Sequence, residues 1–249
     1  MRKVDNMGKV IAVIPARYAS SRFPGKPLAK IKNKPMIQWV YDTVSRIEEI
    51  DEAYVATDDN RISECVGKFG GKYVMTSDKH NSGSDRIAEA VSKISVNDDD
   101  IIINIQGDEP MIKAEMIKEL ISVFNDNDVY MATLKKKIVD KNEINNPNIV
   151  KVITDTNNDA IYFSRYSIPY NREEVGGVDY YKHIGIYGYK KSFLIKFTEL
   201  KESKLELIEK LEQLRVIENG YKIRVLETQY QTIGVDLPEH IALVENEIK

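Results

Sequence analysis

Apolar residues fall along this chain in two styles, short unbroken runs in the first half and mixed or alternating runs in the second. Lys9-Val-Ile-Ala-Val-Ile14 is continuous, rich in β-branched residues and closed by Pro15. Such a run reads as a strand buried on both faces. Ala53–Thr57, Tyr73–Met75 and Ile101-Ile-Ile-Asn-Ile105 repeat the style. Between them, apolar positions recur at helical spacing. Met36, Ile37, Val40, Tyr41, Val44 and Ile47 form one set, with Pro35 near its start. Ile62 and Val66 form a second, capped by Asp59 and stopped by Gly70-Gly71. Ile87, Ala88, Val91 and Ile94 form a third, capped by Ser84 or Asp85. Ile117, Leu120, Ile121 and Phe124 form a fourth. Alternation of short buried strands with helices predicts a mostly parallel, doubly wound α/β sheet.

The second half predicts strands at Val150–Ile153, Ala160–Phe163, Ile184–Tyr189 and Lys222–Glu227. Helical stretches are expected at Phe193–Leu200, at Leu205–Ile217 and from Pro238 to Ile248. Asn157-Asn158 reads as a hairpin turn. Arg172–Val178, with Gly176-Gly177, reads as a mobile loop. This half extends the sheet and adds a subdomain that closes over one rim. With 249 residues and no repeat or long linker, one domain over 1–249 is the simplest organisation.

Composition narrows the class. The 36 Lys and Arg against 39 Asp and Glu leave a net charge of −3, so no global basic field favours nucleic acid as a partner. No run approaches a membrane span, and the first residues lack the apolar core of a signal peptide. The single cysteine, Cys65, forms no internal disulfide, and a cytoplasmic address is expected. Cys65 sits in an apolar helical pattern and reads as core rather than nucleophile.

Ligands of doubly wound sheets bind beyond the carboxyl ends of the strands. The polar clusters Arg17–Lys26, Asp58, Ser82–Arg86 and Gln106–Glu109 all follow strand-like runs and should gather on one rim. Arg17, Arg22 and Lys26 put three cations on one Pro-punctuated loop, which suits an anion better than a generic solvated loop would. The loop is neither a Walker A motif nor a Rossmann glycine motif. Asp108, in Gln106-Gly-Asp-Glu-Pro110, is by itself as readily a turn or cap residue as a ligand, and Asp236, in Gly234-Val-Asp236, alone reads as a cap. Together they form a pair of hard oxygen donors suited to a cation shared with phosphate. His183, Gly185 and Tyr187 alternate toward one face, which is either a polar ligand face or a satisfied sheet histidine. His80, His183 and His240 have no zinc spacing, His240 reads as a surface residue, and no serine nucleophile elbow is present.

Eight segments carry a resemblance. They are Ile14–Leu28, Val55-Ala-Thr-Asp58, Ser82-Gly-Ser-Asp-Arg-Ile-Ala-Glu89, Asn104–Pro110, Tyr162-Phe-Ser-Arg165, Lys182–Tyr189, Leu211-Glu-Gln-Leu-Arg215 and Gly234-Val-Asp236. In this order the chain resembles the bacterial CMP-Kdo synthetases, the 3-deoxy-manno-octulosonate cytidylyltransferases. The resemblance implies the nucleotide-diphospho-sugar transferase fold and a three-layer sheet with a capping and dimerisation subdomain. It implies that the anomeric hydroxyl of a 3-deoxy-ulosonic acid attacks the α-phosphorus of CTP, releasing pyrophosphate, with Mg²⁺ required. It assigns Arg17, Arg22 and Lys26 to the triphosphate, Ser82 and Gly83 to the cytosine pocket, and Asp108 and Asp236 to the metal. Arg86, Gln106, Arg165, His183, Tyr187 and Glu212 would surround the sugar acid, Arg165 suiting its carboxylate. A homodimer is also implied. Leu237 stands where the family usually has Thr. Activity on the 8-amino relative of Kdo, activity on a nonulosonic acid, and a catalytically silent nucleotide-binding protein are the competing expectations.

Overall fold

A computed structural model describes residues 8–20, 22–80, 82–173 and 176–248. Strand β1 (Val10–Ala16) is buried at every residue but Pro15. Its even and odd residues explain the three layers. Val10, Ala12 and Ile14 point into one core with Ile37, Val40, Ile117 and Leu120. Ile11 and Val13 point into the other with Ile87, Val91, Leu194 and Phe197. Period-two side chains on a strand with no polar face demand helices on both sides.

The helices are α1 (Met36–Val44), α2 (Asn60–Lys68), α3 (Gly83–Ser92), α4 (Ala114–Ser122), α5 (Lys191–Glu199), α6 (Lys204–Glu209), α7 (Leu214–Glu218) and α8 (His240–Glu247). The remaining strands are β2 (Lys30–Ile31), β3 (Lys34–Pro35), β4 (Glu52–Thr57), β5 (Tyr73–Met75), β6 (Ile101–Asn104), β7 (Met131–Lys137), β8 (Lys151–Thr154), β9 (Ala160–Ser164), β10 (Tyr181–Lys190) and β11 (Arg224–Glu227). The main sheet runs β11-β7-β10-β6-β1-β4-β5, with the β8–β9 hairpin attached to β10. The pairs from β5 to β6 are parallel, as is β11 with β7. Strand β10 is inserted antiparallel between β6 and β7.

Several expectations are corrected. Helix α3 is capped by Ser82, whose Oγ accepts the Asp85 N–H at 3.1 Å, rather than by Ser84 or Asp85. The stretch Leu205–Ile217 is two helices, because Lys210 adopts φ 54° and breaks the turn. Strand β7 lies outside every predicted element. Its Lys135-Lys-Lys137 tail hides an apolar start, and Lys135 is nonetheless buried. Cys65 is half-buried rather than core. In the Arg172–Val178 loop, Glu174 and Val175 lie outside the described residues. Asp59 caps α2, and Asn158 takes φ 62° in the β8–β9 turn, both as the sequence predicts.

A small satellite core matters for the site. Ile31, Met36, Val235 and Val244 pack together beneath α8, with Phe23, Trp39 and Met111 around them. It fastens the segment before α8 to the loop after β1. Among the described residues no helix is long and apolar enough to cross a membrane.

Candidate functional site

The carboxyl ends of β1 and β6, the N-terminus of α3 and the segment before α8 enclose one cleft of about 250 Å³. Arg17, Arg22, Lys26, Ser82, Gly83, Arg86, Gln106, Asp108 and Asp236 all line it. The rim expected from the polar clusters therefore exists.

Two glycines make it narrow. Gly25 holds φ 70° and donates its N–H to the Tyr18 carbonyl oxygen at 2.9 Å. A Cβ there would sit 3.0 Å from the Tyr18 ring. This turn sends the loop back over the strand and delivers Lys26 to the rim. Gly107 lets the chain after β6 press on the end of β1, since a Cβ would lie 3.0 Å from the Pro15 carbonyl oxygen.

The charged groups pair with one another. Lys26 Nζ donates to Asp108 and lies 3.8 Å from Asp236, while Arg22 donates to Asp236 at 3.0 Å. Lys26 is the most enclosed, with 14% of its side chain exposed. Val235 is buried, and its N–H donates to the Asp108 carbonyl oxygen at 2.9 Å, so Asp108 and Asp236 are tied by backbone as well as by charge. Thr232 donates to Glu109 alongside. Burial, then the carboxylates of Asp108 and Asp236, push Glu109 up to about 7 against the pull of Thr232. Ser82 and Gly83 bring the start of α3 to the cleft as well, and a helix N-terminus suits an anion.

His80, to which no role is assigned from sequence, also lines the cleft. It meets Glu89, which also accepts the Ser77 N–H at 2.8 Å. Burial would raise Glu89, but Lys93, Ser77 and His80 outweigh it and hold the carboxyl down at about 2. The spacing His80 to Glu89, across the α3 cap, was the only signal available.

A second, neutral group adjoins Gln106. Its amide donates to Asn104 at 3.4 Å, and Asn104 faces Tyr187 across the β6–β10 ladder. Tyr187 and His183 rings lie 5.4 Å apart, with Phe163 edge-on to His183 at 5.1 Å. Burial lowers His183 to about 3, so the ring is neutral, and it raises Tyr187 well above the usual phenol range. Glu212 accepts from Ser84 at 2.8 Å, and burial raises its carboxyl. His183, Tyr187 and Glu212 thus come together.

Two predicted sugar ligands are committed elsewhere. Arg86 is buried and donates to Thr76 at 2.6 Å and Asp58 at 2.8 Å, so it braces the cleft wall. Arg165 turns into a separate surface cleft and donates to the carbonyl oxygens of Glu209 at 2.8 Å and Pro147 at 3.1 Å. A guanidinium with its donors on backbone oxygens is not offered to a substrate carboxylate in this arrangement. His240 is half-buried, and its Nδ1 accepts the Asp236 N–H at 3.2 Å. Asp108 and Asp236 both reach Lys26, and among the described residues no group of three or more His, Cys, Asp or Glu is placed to hold a metal ion.

The chain is similar to known proteins along nearly its whole length. Residues 11–223 match the profile of the family described as Cytidylyltransferase. A 3-deoxy-manno-octulosonate cytidylyltransferase of Fusobacterium nucleatum is 53% identical, covering 97% of each chain. One of Syntrophus aciditrophicus is 51% identical, covering 96% of this chain and 97% of its own. An 8-amino-3,8-dideoxy-manno-octulosonate cytidylyltransferase of Shewanella frigidimarina is 48% identical, covering 95% and 97%. The solved structure of CMP:2-keto-3-deoxy-manno-octonic acid synthetase complexed with CTP superposes with a TM-score of 0.91 at 42% identity, covering 96% and 98%. The fold, the charged cleft and these relatives together place the chain in the cytidylyltransferase family, in its CMP-Kdo synthetase branch.

Proposed function

We propose that this enzyme transfers CMP from CTP to the anomeric hydroxyl of 3-deoxy-manno-octulosonate, releasing pyrophosphate. The observation that carries the reading is the convergence of Arg17, Arg22 and Lys26 with Asp108 and Asp236 in one cleft. Three cations neutralise a triphosphate and the departing pyrophosphate. Catalysis is then positioning and charge stabilisation, without a covalent nucleophile. Ser82 and Gly83 receive the nucleotide on the α3 side. Gln106, His183, Tyr187 and Glu212 form the sugar end. Arg86 acts through the wall it braces.

The pair Asp108 and Asp236 fits a magnesium ion. Both carboxylates already reach one cation, Lys26, and two hard oxygens plus phosphate oxygens and water are the donors magnesium takes. Bound there, the ion would neutralise phosphate charge and acidify the sugar hydroxyl. Lys26 would then be released toward the phosphates.

The proposal includes a cytoplasmic homodimer. Ile161, Tyr166, Tyr170 and Ile208 stand exposed on the β9 side of the molecule, an apolar surface suited to a second copy. Sedimentation as a monomer at micromolar concentration would remove that part.

The test is product formation from CTP and Mg²⁺ with Kdo, 8-amino-Kdo, N-acetylneuraminate or no sugar. CMP-Kdo as the preferred product supports the reading. A preference for the amino sugar or the neuraminate moves the substrate, and no product from folded protein removes the activity.

A further inference from the structure

Strand β10 does not run evenly beside β7. Ile184 faces Leu134, but Tyr187 already faces Thr133, so Gly185 and Ile186 are extra residues in a bulge. The bulge turns His183 and Tyr187 toward each other and leaves Gly185 exposed, with open space where a side chain would stand.

Thr133 holds this bulge. The residue is fully buried. Its Oγ1 lies 2.8 Å from the Ile186 carbonyl oxygen, 3.1 Å from the Ile184 carbonyl oxygen and 2.9 Å from His183 Nε2. A hydroxyl has one proton and two lone pairs. Both carbonyl oxygens are acceptors only, so the single Thr133 proton is shared between them. If it went to the imidazole instead, two carbonyl oxygens would face hydroxyl lone pairs with no proton between them. The hydrogen bond to the ring therefore runs the other way: His183 Nε2–H donates to Thr133 Oγ1.

We propose that Thr133 is a positioning residue for the sugar end of the cleft. It locks His183 in the Nε2–H tautomer and so presents Nδ1 as a hydrogen-bond acceptor for a hydroxyl of the sugar acid. The assignment rests on the function proposed above for its ligand, while the tautomer stands on geometry alone. Nδ1 has no protein partner among the described residues, and the ring is neutral, as an acceptor must be. Histidine in the other tautomer would offer a donor instead and meet a sugar hydroxyl with reversed polarity.

Two measurements test this. The chain has three histidines, so imidazole ¹⁵N spectra of the wild-type protein, assigned by His183→Asn, read the tautomer directly. A protonated Nε2 with an unprotonated Nδ1 is expected, and a protonated Nδ1 overturns the proposal whatever the substrate. The second measurement is kinetic, with the sugar that the product assay selects. Thr133→Val should raise the KM for sugar about tenfold while the KM for CTP stays within about twofold, as for loss of one positioned hydrogen bond. Thr133→Ser keeps the hydroxyl and should restore the sugar KM to within about twofold of wild type. Equal KM values for Thr133→Val and wild type, or equal rises for CTP and sugar, overturn the role. If Thr133→Val does not fold, the wild-type tautomer and the Thr133→Ser kinetics decide, a raised sugar KM in the serine variant counting against. The expected tautomer with no turnover on any sugar would instead remove the function proposed above.

Discussion

The two ends of the proposed site are built on opposite principles. The phosphate end is charged, loop-carried and partly open: Arg17 and Arg22 are exposed, and Lys26, Asp108 and Asp236 neutralise one another. The proposed sugar end, beside Gln106, is neutral and largely sheet-carried: His183 and Tyr187 sit on β10 with Glu212 near Tyr187, each shifted toward its uncharged form by burial. In the proposed reaction a highly charged nucleotide would be met by Arg22 and Lys26, which already have carboxylate partners to exchange. In the same proposal a polyhydroxylated sugar would be met by fixed donors and acceptors, whose polarity must be preset because neutral hydrogen bonds discriminate only when direction is defined.

The largest effect is expected at the charged end. Asp108→Asn keeps shape and removes charge, and turnover should fall by about 10² to 10³ with the melting temperature retained. Wild-type pyrophosphate release in that variant would remove Asp108 from the mechanism. Lys26→Met comes next. It should cost about 10²-fold in kcat/KM for CTP, as for loss of one charge-stabilising donor, and leave the sugar KM near wild type. Equal loss on both substrates would erase the boundary between the two ends.

A pH effect sharpens the neutral end. Burial holds His183 at about 3 against an ordinary 6.5. Between those values the unfolded chain binds a proton that the folded chain does not. The stability linked to this ring is complete above pH 6.5 and is lost as pH falls toward 3. Each pH unit inside that window costs at most about 1.4 kcal/mol. Denaturant titrations at neutral pH and one to two units lower should show a slope that His183→Asn flattens. An unchanged slope would mean the ring is protonated in the fold.

The smallest effect is expected at Arg165. Its donors are spent on backbone oxygens, so Arg165→Ala should lower stability by about 1 kcal/mol and change the sugar KM by less than about threefold. A tenfold rise in the sugar KM would return Arg165 to the sugar site, where the family resemblance puts it.

The same comparison explains what was legible in the sequence. Loop cations and strand-end carboxylates carry their chemistry in their identity, and following a buried apolar strand locates them. Arg17, Arg22, Lys26, Asp108 and Asp236 therefore meet as expected. The parallel strands β1, β4, β5 and β6 were readable for the same reason, since both faces are apolar. Strand β7 was not, because it runs into three lysines, of which Lys135 is buried by neighbours rather than by an apolar pattern. Nor could spacing reveal that β10 bulges against it, since Thr133 and His183 are fifty residues apart. Arg86 and Arg165 show the converse limit. A guanidinium's identity marks it as an anion ligand, and only the fold shows that Asp58, Thr76 and backbone carbonyls have already claimed these two.

The most direct test of the divided cleft is a pair of saturation curves, one for CTP and one for sugar, measured on His183→Ala and wild type. A sugar KM raised about tenfold with the CTP KM unchanged is expected. A CTP KM that rises in step with the sugar KM would contradict it, because the neutral end would then be holding the nucleotide as well.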